Sequence, residues 1–375
     1  MKVLMTALQP GGGIRTFFRY VYGQPVFDRY NFTLLAPDSG GLEAFLSTFL
    51  PPSRIELVSA KPDKAGFVGQ VRKLVKQHPF DLVHSHGFSA GLLTQLALTG
   101  NNTPHLMTGH DMFTKPLFFG FKGYMKHVLM AQLFSRMTAV HTVTEDAKHN
   151  FLEFFPGVHG DRIYPILHGV DAKFFQFGTA LDIRNEIGLS PETPLIGFFG
   201  RFMSPKGFKI LVDAMDIIRK RLKVSPMPHV VTFGWGGFIR EDYVYLEKLG
   251  LGDYFHQLPQ TNNMPGALRG VDLVAMPSRW EACGLLAMEA LSAGVPIVGS
   301  NAIGLREVLE GSPAIQVPVG EARALAEALM AEINDIESRQ RVFESYQSEA
   351  VARFGIERPA SKLAELYSSV AAGGR

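Results

Sequence analysis

The sequence has almost no cysteine and no long apolar run. Its 375 residues include one cysteine, Cys283, which excludes an internal disulfide framework and a zinc cluster built on cysteines. No stretch approaches the ~20 apolar residues that span a bilayer. The N-terminus reads as a strand entering a glycine turn rather than as a signal peptide. We therefore expect a soluble chain in a reducing, cytoplasmic compartment.

The chain also lacks a strong net charge. Lysine and arginine number 37 against 35 aspartates and glutamates, a formal charge of +2 at pH 7. Proteins that bind duplex nucleic acid usually present a strongly basic face, so this balance argues against a nucleic-acid partner. Ten of the 12 histidines lie within the first 170 residues, so the two halves differ in chemistry.

Short apolar strands alternate with amphipathic helices in two separate runs. Such alternation predicts parallel sheets with helices on both faces, and thus an α/β protein of two Rossmann-like domains. Strands are predicted at residues 3–8, 32–36, 81–84, 105–108, 139–142 and 163–167, then, after a polar connector at 168–190, at 195–199, 230–233, 273–276, 296–299 and 314–317. Ligands of such sheets bind at the carboxyl ends of the strands, so the chemistry is expected in the loops there.

A glycine cluster follows the first strand. Gly11, Gly12 and Gly13 precede a predicted helix. Glycines at such a turn let the backbone approach a ligand, and a helix N-terminus attracts an anion. The third glycine of a dinucleotide fingerprint is absent, and a plain tight turn is the alternative interpretation.

Two cations follow the first strand of the second run. Arg201 comes after that strand, and Ser204 and Pro205 predict a helix start whose first turn contains Lys206. A pair of cations beside the positive end of a helix suits an anion with at least two charges. Two solvated surface cations are the alternative.

A later loop and helix carry the most specific pattern. Glu281 lies in the loop, and Glu289 lies in an apolar helix that begins near Cys283. A carboxylate in an apolar helix is costly unless hydrogen-bond donors meet it, and sugar hydroxyls are such donors. The amides of Cys283, Gly284 and Leu285 at the helix start favour phosphate. Alternatively, Glu289 pairs with a structural arginine and Glu281 is solvated.

These motifs resemble those of the retaining glycosyltransferases of family 4. Glu281 and Glu289 match that family's E-x7-E signature, and Arg201 with Lys206 resembles its donor-diphosphate motif. The His-Gly-Val-Asp segment at 168–171 is similar to its inter-domain Asn-Gly-Val-Asp. The likeness runs through most of the chain and is most specific in its second half.

The resemblance implies the GT-B fold, in which two Rossmann-like domains face each other across a cleft. It implies an acceptor domain at residues 1–170, a nucleotide-sugar domain at 171–355, and a helix at 356–375 that crosses back to the first domain. The implied enzyme is a hexosyltransferase that moves a sugar from a nucleotide-diphosphate sugar to a glycan or lipid-linked acceptor with retention of configuration. Cell-surface polysaccharide, lipopolysaccharide or glycolipid synthesis would be its setting. Neither a metal nor another cofactor is implied.

The resemblance also implies roles by position. Arg201 and Lys206 would neutralise the leaving diphosphate, Glu281 would bind hydroxyls of the transferred sugar, and His110 would point at that sugar. These four are the expected catalytic residues. The expected donor-binding residues are Gly12, Gly13, Arg201, Lys206, Glu281, Cys283, Gly284, Leu285 and Glu289.

Two departures from the family pattern concern the donor. Ala282 and Cys283 replace the usual Gly-Phe after the first acid, and Trp235 lies in a Gly-Trp-Gly-Gly segment at 234–237 where it is expected to contact base or sugar. These departures bear on the identity of the donor more than on the type of reaction. A glycoside hydrolase that uses Glu281 and Glu289 would have no use for two phosphate sites. A nucleotide-sugar epimerase or phosphorylase on the same fold, and a non-catalytic sugar-nucleotide binder, remain as alternatives.

Acidic residues are absent between Met112 and Thr144. The window contains four cations interleaved with six aromatic residues: Lys115, Lys122, Lys126 and Arg136, with Phe113, Phe118, Phe119, Phe121, Tyr124 and Phe134. Basic and aromatic residues on one amphipathic segment favour an anionic membrane surface as a partner of residues 112–136, and a peripheral location on the inner face of the membrane. The alternative is that the aromatic residues belong to the core.

One pair of histidines could suggest a metal site. His84 and His86 flank a serine at a predicted strand end. We expect them to point to opposite faces of the strand and to have a structural role.

Overall fold

A computed structural model of the protein describes residues 1–222, 224–233 and 239–373. The chain divides into two units: unit 1 comprises Met1–His168 and Ile356–Arg375, and unit 2 comprises Gly169–Gly355. Each unit contains one sheet, and all strand pairs within both sheets are parallel.

The sheet of unit 1 has seven strands. They are β1 Lys2–Ala7, β2 Asn31–Ala36, β3 Ile55–Ser59, β4 Leu82–His86, β5 His105–Gly109, β6 Ala139–Thr142 and β7 Ile163–Pro165. The helices between them are α1 Gly13–Phe17, α2 Leu42–Ser47, α3 Lys64–Gln77, α4 Phe88–Ala97, α5 Gly120–Phe134 and α6 Glu145–Phe154. The strand order is β3-β2-β1-β4-β5-β6-β7, so the direction of winding reverses between β1 and β4.

The sheet of unit 2 has six strands in the related order β10-β9-β8-β11-β12-β13. They are β8 Leu195–Phe198, β9 His229–Thr232, β10 Phe255–Gln257, β11 Leu273–Met276, β12 Ile297–Ser300 and β13 Ile315–Val317. The helices are α7 Ala172–Gln176, α8 Ile183–Glu186, α9 Phe208–Ile217, α10 Ile239–Lys248, α11 Met264–Arg269, α12 Leu285–Ala293, α13 Leu305–Leu309, α14 Ala322–Ile333 and α15 Ile336–Phe354. The winding reverses between β8 and β11, which places a ligand crevice at their carboxyl ends.

The strands that the sequence pattern predicts are all present, and two further strands occur at sheet edges. The central strands, such as β4 and β11, are buried at every residue. Strand β11 is a continuous apolar run, as burial on both faces favours, whereas β4 begins apolar and ends with the buried polar residues His84, Ser85 and His86. The edge strand β3 has only half-buried and exposed residues, and the edge strand β10 has only three residues. Both carry too little apolar signal to be predicted.

The last helix, α16 Glu357–Gly373, packs within unit 1. Its apolar residues Ala360, Leu363, Ala364 and Tyr367 recur at helical spacing and join the core that β1 and β2 also enter. The structure thus returns the end of the chain to the unit that contains its beginning. Among the described helices, none is both long and apolar enough to span a bilayer.

Candidate functional site

A cavity of about 330 Å³ opens in unit 2 at the carboxyl ends of β8 and β11, where the strand order reverses. This is the position at which open parallel sheets bind their ligands. Its lining includes Arg201, Lys206 and Glu289, which the sequence pattern singled out. It also includes Ser278, whose hydroxyl contacts Glu281. The cavity therefore brings the cation loop, the loop after β11 and helix α12 together.

Lys206 and Glu281 form an ion pair beside this cavity. The Lys206 Nζ atom lies 2.7 Å from Glu281 Oε1 and 3.0 Å from Oε2. The Ser278 hydroxyl donates to Glu281 Oε1 at 2.8 Å. The Glu281 side chain is 10% exposed and that of Lys206 33%, so the acid is buried and the cation reaches towards solvent. Glu281 is thus held by its neighbours, contrary to the alternative that it is solvated.

Two glycines let the backbone segments around this pair approach each other. Gly207 has φ 73°, and a Cβ there would lie 2.0 Å from the carbonyl oxygen of Pro277. Gly304 has φ 79°, and a Cβ there would lie 2.2 Å from the carbonyl oxygen of Glu281. Any side chain at either position would force the loops apart, and Lys206 would then lose its contact with Glu281.

The helix start predicted at Ser204 is wrong in detail. Ser204–Lys206 forms a separate 3-10 turn with Pro205 inside it, and α9 begins only at Phe208. The break occurs because Gly207 adopts the left-handed conformation that its contact with Pro277 requires. Lys206 is therefore positioned by a turn pressed against the loop after β11, and not by the first turn of α9.

Arg201 differs from Lys206 in having no partner among the described residues. Its side chain is exposed at the cavity, and no described residue forms a hydrogen bond or an ion pair with it. An arginine that lines a cavity without a carboxylate partner is available for a bound anion. Of the two cations that the sequence pattern groups together, Lys206 is neutralised by Glu281, whereas Arg201 has no partner in the described part of the chain.

Glu289 lines the same cavity from helix α12. Burial raises the pKa of its carboxyl to about 8, because the apolar surroundings disfavour the charged form. Among the described residues, none forms an ion pair with it, so the alternative of a structural arginine partner does not hold there. At neutral pH this carboxyl is mostly protonated, which keeps a second negative charge out of the cavity.

The amides predicted to bind phosphate differ in their availability. Helix α12 begins at Leu285 with Gly284 as its N-cap. The Leu285 amide donates to the carbonyl of Cys283 at 2.9 Å, so it already has an acceptor in the loop. The Gly284 amide has no acceptor among the described residues, which makes it the better candidate for an anion.

In unit 1, the glycine cluster follows β1 as the sequence predicts. Gly12 has φ 52° and ψ −126°, a conformation that other residues avoid, and Gly13 is the first residue of α1. A Cβ at Gly11 or Gly13 would meet no atom of the described residues within 4 Å. Helix α1 continues directly into a π-helical turn, Phe18–Tyr22. The turn thus presents open backbone at the carboxyl end of β1, a central strand of the sheet.

His110 follows β5 and is partly exposed. Its Nε2 atom lies 3.1 Å from His86 Nδ1, and the ring of Phe17 from α1 packs edge-on against it with centroids 5.1 Å apart. Burial lowers the pKa of His110 well below its ordinary range. A neutral imidazole at this place can donate one hydrogen bond and accept another.

The expectation that His84 and His86 point to opposite faces is wrong. Both rings contact the Tyr22 hydroxyl, at 3.1 Å from His84 Nδ1 and 2.9 Å from His86 Nε2. Residues two apart on a strand share a face, which is why the two rings lie together. Among the described residues, no group of three or more histidine, cysteine or acidic side chains forms a metal site.

Two parts of the site were missed from the sequence. Ser278, which holds Glu281, gives no signal because a serine after a strand is common. The buried hydroxyls and rings around His86 also escaped, although the concentration of histidines in the first half was a clue. The predicted contact of Trp235 lies outside the described residues.

The segment predicted to face a membrane splits into buried and exposed parts. Phe113 and Phe134 are buried in a core cluster of unit 1, as the alternative interpretation expects. Phe119 and Phe121 are 73% and 78% exposed. Other exposed residues of this stretch include Lys115, Leu117, Lys122, Tyr124, Met125, Lys126, Leu129 and Arg136. We call the exposed residues between 115 and 129 the α5 patch.

Comparisons with known families cover both units. Residues 11–174 match the family model described as Glycosyltransferase Family 4, and residues 193–335 match the one described as Glycosyl transferases group 1. The chain is 28% identical over 322 residues to the D-inositol 3-phosphate glycosyltransferase of Corynebacterium urealyticum, an alignment that covers 82% of this chain and 76% of that one. It is 28% identical over 215 residues to the lipopolysaccharide core biosynthesis mannosyltransferase LpsB of Rhizobium meliloti, covering 55% and 60%.

The fold is shared with solved structures of other proteins. Anabaena Alr3699/HepE, in a structure with UDP-glucose, matches with a TM-score of 0.82 at 22% identity over 98% of this chain and 100% of that one. The predicted GT-B class, with two parallel-sheet α/β units, is therefore confirmed.

The Lys206–Glu281 pair predicts an energetic coupling. Lys206→Met leaves a buried carboxylate without its cation, so we expect the free energy of unfolding to fall by about 1–3 kcal/mol. When Glu281 is already replaced by Gln, Lys206→Met should lower the free energy of unfolding by much less. Urea denaturation of the two single variants and the double variant measures this coupling. Arg201→Met, which removes an unpaired cation, is the control and should stay within about 0.5 kcal/mol. Equal costs in both backgrounds would contradict the pairing.

Glu289 predicts a pH-dependent stability. Its pKa is about 8 in the folded chain against an ordinary value of 4.5, so between these values the folded chain binds more protons than the unfolded one. The free energy of unfolding should therefore fall as pH rises through that window. Glu289→Gln removes this pH-dependent loss of stability. The free energy of unfolding of the variant, relative to that of the unaltered chain, should therefore increase from about pH 5 to about pH 9. Urea denaturation across this range checks it, with Glu327→Gln, an exposed carboxylate, as control. Parallel profiles for Glu289→Gln and the unaltered chain would refute the assignment.

Proposed function

Because this chain belongs to glycosyltransferase family 4, we propose that it moves a sugar from a nucleoside-diphosphate sugar to an acceptor with retention of configuration at the anomeric carbon. The cavity of unit 2 is the proposed donor site. The acceptor is a glycan or a lipid-linked sugar, and the setting is the synthesis of cell-surface polysaccharide, lipopolysaccharide or glycolipid. Relatives named as an inositol phosphate glycosyltransferase and a lipopolysaccharide mannosyltransferase support this class of acceptor.

The observation that carries the proposal is the charge arrangement around the cavity. Arg201 has no carboxylate partner within residues 1–222, 224–233 and 239–373, Lys206 is paired with Glu281, and the Glu289 carboxyl is mostly protonated at neutral pH. The lining therefore carries a net positive charge, which attracts a diphosphate. A fold relative whose solved structures contain UDP and UDP-glucose supports a nucleotide sugar as the ligand.

Transfer requires that negative charge be stabilised as the sugar leaves. The bond between the anomeric carbon and the phosphate oxygen breaks, and its electron pair stays on the diphosphate. Arg201 and the Gly284 amide can stabilise this growing charge, and so can Lys206 once the diphosphate competes with Glu281 for it. Glu281, still held by Ser278, then has a carboxylate oxygen to accept hydroxyl hydrogens of the sugar.

Protein cations and amides provide this stabilisation without a metal in the proposed mechanism. The leaving phosphate oxygen takes up the proton of the acceptor hydroxyl on the same face of the sugar, so we assign no protein base. The same cavity could serve an epimerase, a phosphorylase or a sugar-nucleotide binder, and these alternatives differ from a transferase in their products.

The α5 patch supports a location at the cytoplasmic face of an anionic membrane. Phe119 and Phe121 are exposed beside Lys122, while Lys126 lies 5.9 Å from the centroid of the Phe118 ring. Exposed aromatic rings can enter the interface between headgroups and acyl chains, and lysines attract acidic headgroups. Binding there would bring unit 1 to a lipid-linked acceptor.

The transferase proposal predicts a product and two defective variants. With UDP-, GDP- or ADP-sugars and an acceptor, we expect a glycosylated product whose linkage keeps the configuration of the donor. Arg201→Ala and Lys206→Ala should lower turnover by about 10²–10³-fold, because each removes charge stabilisation from the transition state. Chromatography measures the rates, and the anomeric coupling constant in the proton spectrum gives the configuration.

The control for these variants is Lys220→Ala, which removes an exposed cation of the same unit and should leave turnover unchanged. An epimerised nucleotide sugar or a sugar 1-phosphate as the product would assign one of the alternative enzymes. Nucleotide binding in a thermal-shift assay without any product would indicate a binder. Full turnover in both Arg201→Ala and Lys206→Ala would refute their roles.

The membrane proposal predicts flotation with anionic vesicles. The chain should float with vesicles that contain phosphatidylglycerol but not with vesicles of phosphatidylcholine alone, because the lysines need acidic headgroups. Phe121→Ser should weaken flotation, since it removes an exposed ring from the α5 patch. Phe177→Ser is a matched control, because Phe177 is 79% exposed on unit 2. Recovery of all protein in the soluble fraction, or equal loss in both variants, would contradict the proposal.

A further inference from the structure

A continuous chain of hydrogen bonds runs through unit 1 from His110 to the backbone carbonyl of Ile166. We call its side chains the histidine relay, and in order they are His110, His86, Tyr22, Tyr367, His84, Thr108 and His141. The relay joins helix α16 to β4, β5 and β6. Nothing in the proposed transfer chemistry requires so many buried polar groups in series.

All members except His110 are buried. Burial lowers the pKa of His84 and of His86 well below the ordinary range, and that of His141 to about 4. Each ring is therefore neutral at pH 7, with one nitrogen that donates and one that accepts. A buried polar group without a partner is costly, so each hydrogen must go where an acceptor is available.

The hydrogen positions follow from the anchored end. The carbonyl oxygen of Ile166 can only accept, so His141 Nε2, at 3.2 Å, carries the hydrogen. His141 Nδ1 then accepts from the Thr108 hydroxyl at 2.9 Å. Because the single hydrogen of Thr108 is used there, His84 Nε2 must donate to Thr108 at 2.7 Å. His84 Nδ1 is thus an acceptor.

The hydrogen-bond directions at the two tyrosines follow in the same way and determine the direction at His110. The Tyr367 hydroxyl donates to His84 Nδ1, and Tyr22, at 3.0 Å, donates to Tyr367. His86 Nε2 then donates to Tyr22 at 2.9 Å, which leaves His86 Nδ1 as the acceptor for His110 Nε2 at 3.1 Å. Every contact of the relay receives one hydrogen in this order.

We propose that the histidine relay holds His110 as the tautomer protonated on Nε2, so that its Nδ1 lone pair accepts a hydrogen bond from a hydroxyl group of the sugar substrate. The choice of ligand rests on the proposed function, whereas the tautomer rests on the relay alone. Among the described residues, no side chain or amide donates to His110 Nδ1, and the ring is partly exposed. The edge of the Phe17 ring against His110 restricts the rotation of the imidazole.

The contacts of the tyrosines provide a matched pair of variants. The Tyr22 hydroxyl also lies 3.1 Å from His84 Nδ1, so it can donate there directly when Tyr367 has lost its hydroxyl. Tyr367→Phe therefore shortens the relay but keeps its order. Tyr22→Phe separates His86 and His110 from the anchored end, and both tautomers of His110 become available. Each change removes one buried hydroxyl, but the expected results differ: Tyr367→Phe keeps a single tautomer of His110, whereas Tyr22→Phe gives a mixture.

The tautomer can be measured directly on the full chain labelled with 15N-histidine. Long-range correlations between ring nitrogens and ring protons at pH 7 distinguish the Nε2–H form, the Nδ1–H form and the cation, and the spectrum of His110→Gln assigns the signals. We expect the Nε2–H form in the unaltered chain and in Tyr367→Phe, and a mixture in Tyr22→Phe. Thr108→Val, which cuts the relay next to the anchor, should also give a mixture and replaces Tyr22→Phe if that variant does not fold.

The relay is overturned if His110 of the unaltered chain is a cation or carries its hydrogen on Nδ1. It is also overturned if Tyr22→Phe and Thr108→Val keep a single tautomer, or if Tyr367→Phe gives a mixture. None of these measurements uses a substrate. If the tautomers are as expected but no sugar is transferred, the proposed function is refuted, whereas the histidine relay is not.

The role of the Nδ1 lone pair is tested by kinetics. Tyr22→Phe should lower kcat/KM for transfer by about tenfold, the effect of one misdirected hydrogen bond. Tyr30→Phe is the control, because it removes another buried hydroxyl of the same core, whose hydrogen-bond partner in the described part of the chain is the Ala364 carbonyl, and it should stay within about twofold. If Tyr22→Phe has mixed His110 tautomers but an unchanged kcat/KM, the sugar hydroxyl does not bind to His110 Nδ1.

Discussion

The close approach of two loops in unit 2 is the constraint on which the candidate donor site depends. The turn that carries Lys206 presses against the loop after β11, and only a residue without a side chain fits at Gly207. That contact brings the ammonium group of Lys206 to the buried carboxylate of Glu281. Without it, a buried acid would lack its counter-charge, and the cavity would lose the cation loop that forms one of its walls.

The candidate donor site of unit 2 and the histidine relay of unit 1 depend on different physical interactions. Unit 2 relies on charge: one cation with no partner among the described residues, one paired cation, and a carboxyl that burial keeps mostly protonated. Unit 1 works with neutral groups, since burial suppresses the protonation of its histidines and each hydrogen bond then has a direction. Charge stabilises a diphosphate whatever its orientation, whereas directed hydrogen bonds discriminate between positions of hydroxyl groups.

Much of this organisation was readable in the sequence, and the failures have physical causes. Central strands were predicted because burial on both faces favours several apolar residues in succession, while β3 and β10, at the edges, carry a weaker pattern. The helix start at Ser204 was misplaced because the sequence does not reveal that Gly207 must fit beneath Pro277. The pairing of Lys206 with Glu281 joins residues 75 positions apart, so no local pattern could indicate it.

The sequence alone determined the fold class, the identity of the acids and cations, and the loops in which they occur, because those follow from periodicity and from motifs that are local in the chain. The tertiary structure alone decided which of these groups are paired, which are free and which are neutral. Ionisation and hydrogen-bond direction depend on burial and on partners from distant segments, as Tyr367 beside His84 illustrates. Such partners become neighbours only when the chain has folded.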